Sequence, residues 1–176
     1  MSHWPIVSHM PGLYVVMGVC GSGKSLIGAL LARALGMEFV EGDAYHSPEN
    51  VARMSAGIPL TDEDRQAWLA AIATRLDDGR RAGLGLVVSC SALKRSYRDV
   101  LRAGRADVQF VYLEGTRALL EQRLAGRRGH FMPSSLLDSQ FAILEPPSPD
   151  EHARVSDIGE PPEVIVAHLV ARSLSQ

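Results

Sequence analysis

Short apolar runs alternate with apolar positions at helical spacing along the 176 residues of this chain. Leu13-Tyr14-Val15-Val16-Met17 is an unbroken apolar run, the pattern of a strand buried on both faces. Comparable runs predict strands over 37–40, 85–89, 108–113 and 153–157. Spacings of three and four predict helices near 24–35, 49–56, 62–79, 94–103, 116–126 and 134–144, with a last helix near 161–174. Strands separated by helices imply βαβ units and an α/β fold, a parallel sheet covered on both faces. Acidic Thr61-Asp62-Glu63-Asp64 suits a helix N-terminus, and Asp77-Asp78-Gly79 followed by Gly83 and Gly85 suits an end. Glu145-Pro146-Pro147-Ser148-Pro149 must be an extended connector.

The first strand runs into Gly18-Val19-Cys20-Gly21-Ser22-Gly23-Lys24-Ser25, which has the form G-x-x-x-x-G-K-S. Gly18, Gly21 and Gly23 let the backbone turn at positive φ and approach a polyphosphate where a Cβ would clash. The loop N–H groups then form an anion nest, and the following helix adds its positive dipole end. Lys24 can reach the β- and γ-phosphates, and the Ser25 hydroxyl can ligate Mg²⁺. ATP and Mg²⁺ are therefore the expected cofactors.

Composition narrows the setting. The length suits one domain over 12–176, and 1–11 reads as an N-terminal extension. With 18 basic and 20 acidic residues the net charge is −2, so no global field draws the chain to nucleic acid or an anionic membrane. No apolar run approaches a membrane span. Cys20 and Cys90 stand in neither a C-x-x-C pair nor a zinc spacing, and the first ten residues lack a signal-peptide pattern. These points favour a cytoplasmic enzyme.

In open α/β sheets, ligands lie beyond the carboxyl ends of the strands. The segments to inspect after the phosphate loop are therefore Glu41–His46 and Ser89–Lys94. Asp43 can accept the proton of an attacking hydroxyl or hold it in line; a plain turn or cap role fits its position equally well. The acidic residue usual after the third strand is replaced by Ser89-Cys90-Ser91, so metal support falls to Ser25, Asp43 or Glu41, and water. Arg123, Arg127 and Arg128, near Gly126 and Gly129, suggest a lid over about 123–135 that closes on ATP. His46, Arg53, Arg65, Lys94 and Arg98 would receive an anionic acceptor if they converge; each alone also fits a surface or core-capping ion pair.

These segments resemble the gluconokinase family of small P-loop kinases along nearly the whole chain after the first dozen residues. The likeness is most specific at Met54-Ser-Ala-Gly-Ile-Pro-Leu60 and Ser89-Cys-Ser-Ala-Leu-Lys94, and continues through Glu41–His46, Gly129-His-Phe-Met132 and Gln140-Phe141 to Glu145-Pro146. It implies a nucleoside-monophosphate-kinase-like fold with a five-stranded parallel sheet and a lid, and a homodimer. It implies transfer of the γ-phosphoryl group of ATP to the 6-hydroxyl of D-gluconate. Lys24 and Ser25 match the nucleotide and metal positions. Asp43, His46, Arg53, Arg98 and His130 match acceptor-site positions, and Arg127 and Arg128 fall in the lid. Cys20 stands where the family often has Ser. A kinase for another sugar acid, shikimate or a nucleoside monophosphate shares the phosphate machinery, so the 50–68 and 89–98 segments decide the acceptor. A non-catalytic ATP-binding module is a third reading, disfavoured by Asp43 and the lid arginines.

Overall fold

The computed structural model describes residues 12–127 and 134–175. Five strands, β1 (Leu13–Met17), β2 (Glu38–Glu41), β3 (Leu86–Ser89), β4 (Val108–Glu114) and β5 (Arg154–Asp157), form one sheet in the order β2-β3-β1-β4-β5. All pairings are parallel, with Val15 beside Val88 on one side and Phe110 on the other. The helices are α1 (Lys24–Leu35), α2 (Pro48–Ser55), α3 (Asp62–Ala82), α4 (Arg95–Arg102), α5 (Arg117–Ala125), α6 (Ser134–Ile143) and α7 (Pro162–Ser173).

Alternation along β1 separates two cores. Tyr14 and Val16 face Ile27 and Leu31 of α1 and Ile165 and Leu169 of α7. Val15 and Met17 face Trp68, Ile72 and Leu76 of α3 and Leu101 of α4. Central β1 is buried along its full length, as an apolar strand covered on both faces should be. The chain leaves β1 toward β2 and β3, then crosses to β4 and β5. The loop after β1 therefore sits at the topological switch point, where open α/β sheets bind ligands.

The strands and helices fall within one to three residues of the sequence expectation. The largest difference is α3. The Asp77-Asp78-Gly79 stretch does not end it; Gly79 is an inner turn packed so closely on Leu86 that a Cβ would lie 2.5 Å from Cδ1. The helix runs on to Ala82 and stops at Gly83, one of the two glycines expected to mark its end, left-handed at φ 66. Its start is a capping box: Thr61 Oγ1 accepts from Asp64 N–H at 3.2 Å, and Thr61 N–H donates to Asp64 Oδ2 at 2.9 Å. Among the described residues, no helix is long and apolar enough to cross a membrane.

Candidate functional site

α2, α3 and α5 begin on Ser47, Thr61 and Thr116, whose hydroxyls accept first-turn N–H groups. The start of α1 has no such cap. Gly23 turns at φ 91 and no side chain accepts there, so the first N–H groups of α1 stay open to an anion. A Cβ added at Gly23 would meet nothing within 4 Å, so it is the backbone angle that calls for glycine here.

These groups floor a cleft of about 450 Å³ lined by the phosphate loop from Cys20 to Ser25 and by Asp43, Arg123, Arg127, Ile158, Glu160 and Pro162. Lys24 Nζ donates to the Val19 carbonyl at 3.0 Å. Burial pushes the Lys24 pKa below its ordinary value, and the Asp43 carboxylate opposes that. Ser22 Oγ is buried without a partner among the described residues, and the Ser25 residue is exposed. The donor set therefore fits a polyphosphate with a hard cation beside Ser25. Among the described residues, no three His, Cys, Asp or Glu side chains group closely enough to hold a metal ion by themselves. Burial pushes the Cys20 thiol up, and the Cys90 thiol up to about 12, so both stay protonated near neutrality.

Next to the loop, Gly42 follows β2 so closely that a Cβ there would sit 1.9 Å from the Ser89 carbonyl oxygen. Gly42 N–H donates to Ser89 Oγ at 3.2 Å, and Ser89 O–H donates to Glu41 Oε1 at 2.6 Å. The Trp68 indole N–H donates to the Gly42 carbonyl at 2.8 Å, and His46 stacks on Trp68 at 4.1 Å. This packing presents Asp43 to the cleft with its side chain 71% exposed, while His46 beneath it is only 4% exposed, Nε2 4.0 Å from Asp43 Oδ1. Burial pushes the His46 pKa down, against the raising effect of Asp43, so the ring is neutral at pH 7.

The structure sorts the remaining expected site residues. Arg123 and Arg127 line the cleft; Arg123 also donates to the Ile158 carbonyl. Arg128 and His130 lie outside the described residues, as does the middle of the expected lid, 128–133. Arg53 reaches Asp64 at 3.5 Å and keeps a buried Nε with no acceptor among the described residues. Arg65 braces the chain before α3, donating to the Leu60 carbonyl at 2.6 Å and to Tyr97 Oη at 3.3 Å. Lys94 contacts both Asp62 carboxylate oxygens at 3.0 Å.

Arg98 is the clear correction. It was expected to receive an anionic acceptor, yet it has no exposed surface. Its guanidinium donates to Glu151 at 2.7 and 2.9 Å and to the Ala92 and Leu93 carbonyls at 2.9 and 3.2 Å. Such a committed fork offers an outside anion almost nothing; Arg98 ties the start of α4 to the 3₁₀ turn Pro149–Glu151. Glu151 also accepts from Arg102 at 2.8 Å, and its carboxyl, although pushed up by burial, is held down to about 2 by these arginines.

Sequence reasoning missed two contributions. Ile158, Glu160 and Pro162 line the cleft from the turn after β5. The strand-end rule would have found them had it been applied to the last strand. Gln140 of α6 accepts the Cys20 N–H at 2.7 Å, and no local pattern announces a contact over that distance in sequence. A second cleft, about 590 Å³, lies by the starts of β4 and β5, at the opposite sheet end. Arg95 and Arg102 there are already paired with Asp150, Asp99 and Glu151.

A sequence-family profile described as an AAA domain matches residues 13–147. A gluconokinase from Gluconobacter oxydans strain 621H is 49% identical over 162 residues, covering 91% of this chain and 90% of that protein. The crystal structure of a gluconokinase from Sinorhizobium meliloti 1021 superposes with a TM-score of 0.83 at 51% identity, covering 92% and 90% of the two chains. An unliganded sugar kinase from Janibacter sp. HTCC2649 superposes with a TM-score of 0.87 at 49% identity, covering 92% and 94%.

Proposed function

This chain belongs to the gluconokinase family of P-loop kinases and phosphorylates gluconate with ATP, and on that premise we propose which of its residues carry each part of the reaction. The phosphoryl group moves from the γ position of ATP to the 6-hydroxyl of D-gluconate, giving 6-phospho-D-gluconate and ADP. The observation that carries the reading is the uncapped start of α1 behind a glycine loop with Lys24 and Asp43 on its rim.

Phosphoryl transfer is mostly positioning and electrostatics. The N–H groups from Gly21 to Ser25 hold the β- and γ-phosphates, and Lys24 places its charge on the moving group. Mg²⁺, when bound, neutralises charge on the phosphate oxygens; the Ser25 hydroxyl holds it, with Asp43 or Glu41 assisting through water. The Arg123 side chain and the Ile158–Pro162 turn enclose the nucleoside end of the cleft. Arg127 adds positive charge over the phosphates, and we assign Arg128 to the same task.

Asp43 is placed to orient the 6-hydroxyl and take its proton. Buried, neutral His46 lies below that carboxylate, Nε2 4.0 Å from Oδ1, and adds no charge to it. Arg53, whose side chain is 42% exposed, is the cation we assign to the acceptor's carboxylate, with Lys94 of the Lys94–Asp62 pair and His130 assigned to the same task. Arg65 supports that end indirectly through Leu60 and Tyr97. The active form is a homodimer and the setting the cytoplasm.

An acceptor panel tests the assignment. ADP release with Mg²⁺–ATP should be rapid on D-gluconate and at background on shikimate and AMP. Turnover on either of those with none on gluconate would overturn it.

A further inference from the structure

Gln140 stands 120 residues from Cys20 in sequence, yet its Oε1 accepts the Cys20 N–H at 2.7 Å. Among the described residues it is the one side chain from outside the phosphate loop that bonds the loop's backbone. It rides on α6, directly after the 128–133 segment that separates α6 from Arg127. Cys20 lines the same cleft as Lys24 and Arg127, so this peptide lies beside the place a polyphosphate would occupy.

We propose that Gln140 is a positioning residue for phosphoryl transfer: its uncharged amide fixes the Cys20 peptide and ties α6 to the nucleotide cradle. The proposal rests on the kinase reading above. Neutrality is the central point. A carboxylate would accept the same N–H more strongly, yet it would set a negative charge beside the anion that the nest exists to hold.

Gln140→Ala and Gln140→Glu separate the possibilities. Melting temperature, ATP affinity by calorimetry without acceptor, Cys20 amide exchange and steady-state kinetics are measured on each. In Gln140→Ala, Cys20 amide exchange should speed up. Its kcat should fall about tenfold, the effect of one lost hydrogen bond, with the KM for gluconate within about twofold. In Gln140→Glu, amide protection and melting temperature should stay near wild type while ATP affinity drops about tenfold or more. A purely structural prop predicts the reverse order, with Glu restoring wild-type kinetics. Wild-type ATP affinity in Gln140→Glu, or wild-type kcat in Gln140→Ala, would overturn the proposal. If the wild type fails to phosphorylate gluconate while the ATP-affinity order holds, the gluconate assignment falls and the place of Gln140 at the nucleotide cradle stands.

Discussion

Replacing Arg98 by Met should cost fold stability rather than acceptor affinity. The side chain has no exposed surface and makes a two-pronged contact with Glu151, whose own side chain is 2% exposed. Removing one partner of a buried ion pair costs about 3–5 kcal/mol, because the other charge is left without compensation. The Ala92 and Leu93 carbonyls lose their donor in the same step, adding roughly 1 kcal/mol. For a chain of this size each kcal/mol lowers the melting temperature by about 2–4 °C, so Arg98→Met should melt about 10–20 °C below wild type. Calorimetry reads that shift. Steady-state kinetics at a temperature where the variant is folded should find the KM for gluconate within about twofold of wild type. Adding Glu151→Met should recover part of the loss, since apolar pairs often replace buried ion pairs at little cost. The reasoning is refuted if Arg98→Met melts within about 3 °C of wild type while the KM for gluconate rises about tenfold.

Three further outcomes follow from the site and its supports. Lys24→Met should lower kcat by about 10²–10³ while melting close to wild type, and near-normal turnover would remove the loop from catalysis. Asp43→Asn should reduce kcat far more than ATP affinity; a loss confined to ATP binding, read by calorimetry, would reassign Asp43 to the metal. Glu151 is held at about 2, below its ordinary value, so its contribution is complete above about pH 4.5 and fades as pH falls toward 2. Urea midpoints from pH 5 to pH 2 should therefore fall more steeply in wild type than in Glu151→Gln, and parallel slopes would contradict the assignment.

Much of this molecule is written in local pattern. The β1 run, the glycine loop and the α1 periodicity lie side by side in sequence, so each constrains its neighbour, and the structure places them as expected. Strand ends then point to Asp43 because the topology brings the carboxyl ends together. Gly79 was less legible, since a glycine that ends a helix and one packed tightly inside it look alike until Leu86 is seen against it. Arg98 was harder still. A substrate-binding arginine and a core-bracing one carry the same charge and the same helical context, and only Glu151, 53 residues away, distinguishes them. Gln140 has the same difficulty at longer range, because an amide side chain carries no charge signature and its partner is a backbone N–H.

The most direct test of the central claim is phosphorus NMR of the product formed from purified protein, Mg²⁺–ATP and D-gluconate. The account predicts one new monoester resonance whose coupling to the C6 methylene protons places the phosphate on the primary hydroxyl, growing in step with ADP. ADP appearing with inorganic phosphate alone, or a phosphate on another carbon, would contradict it.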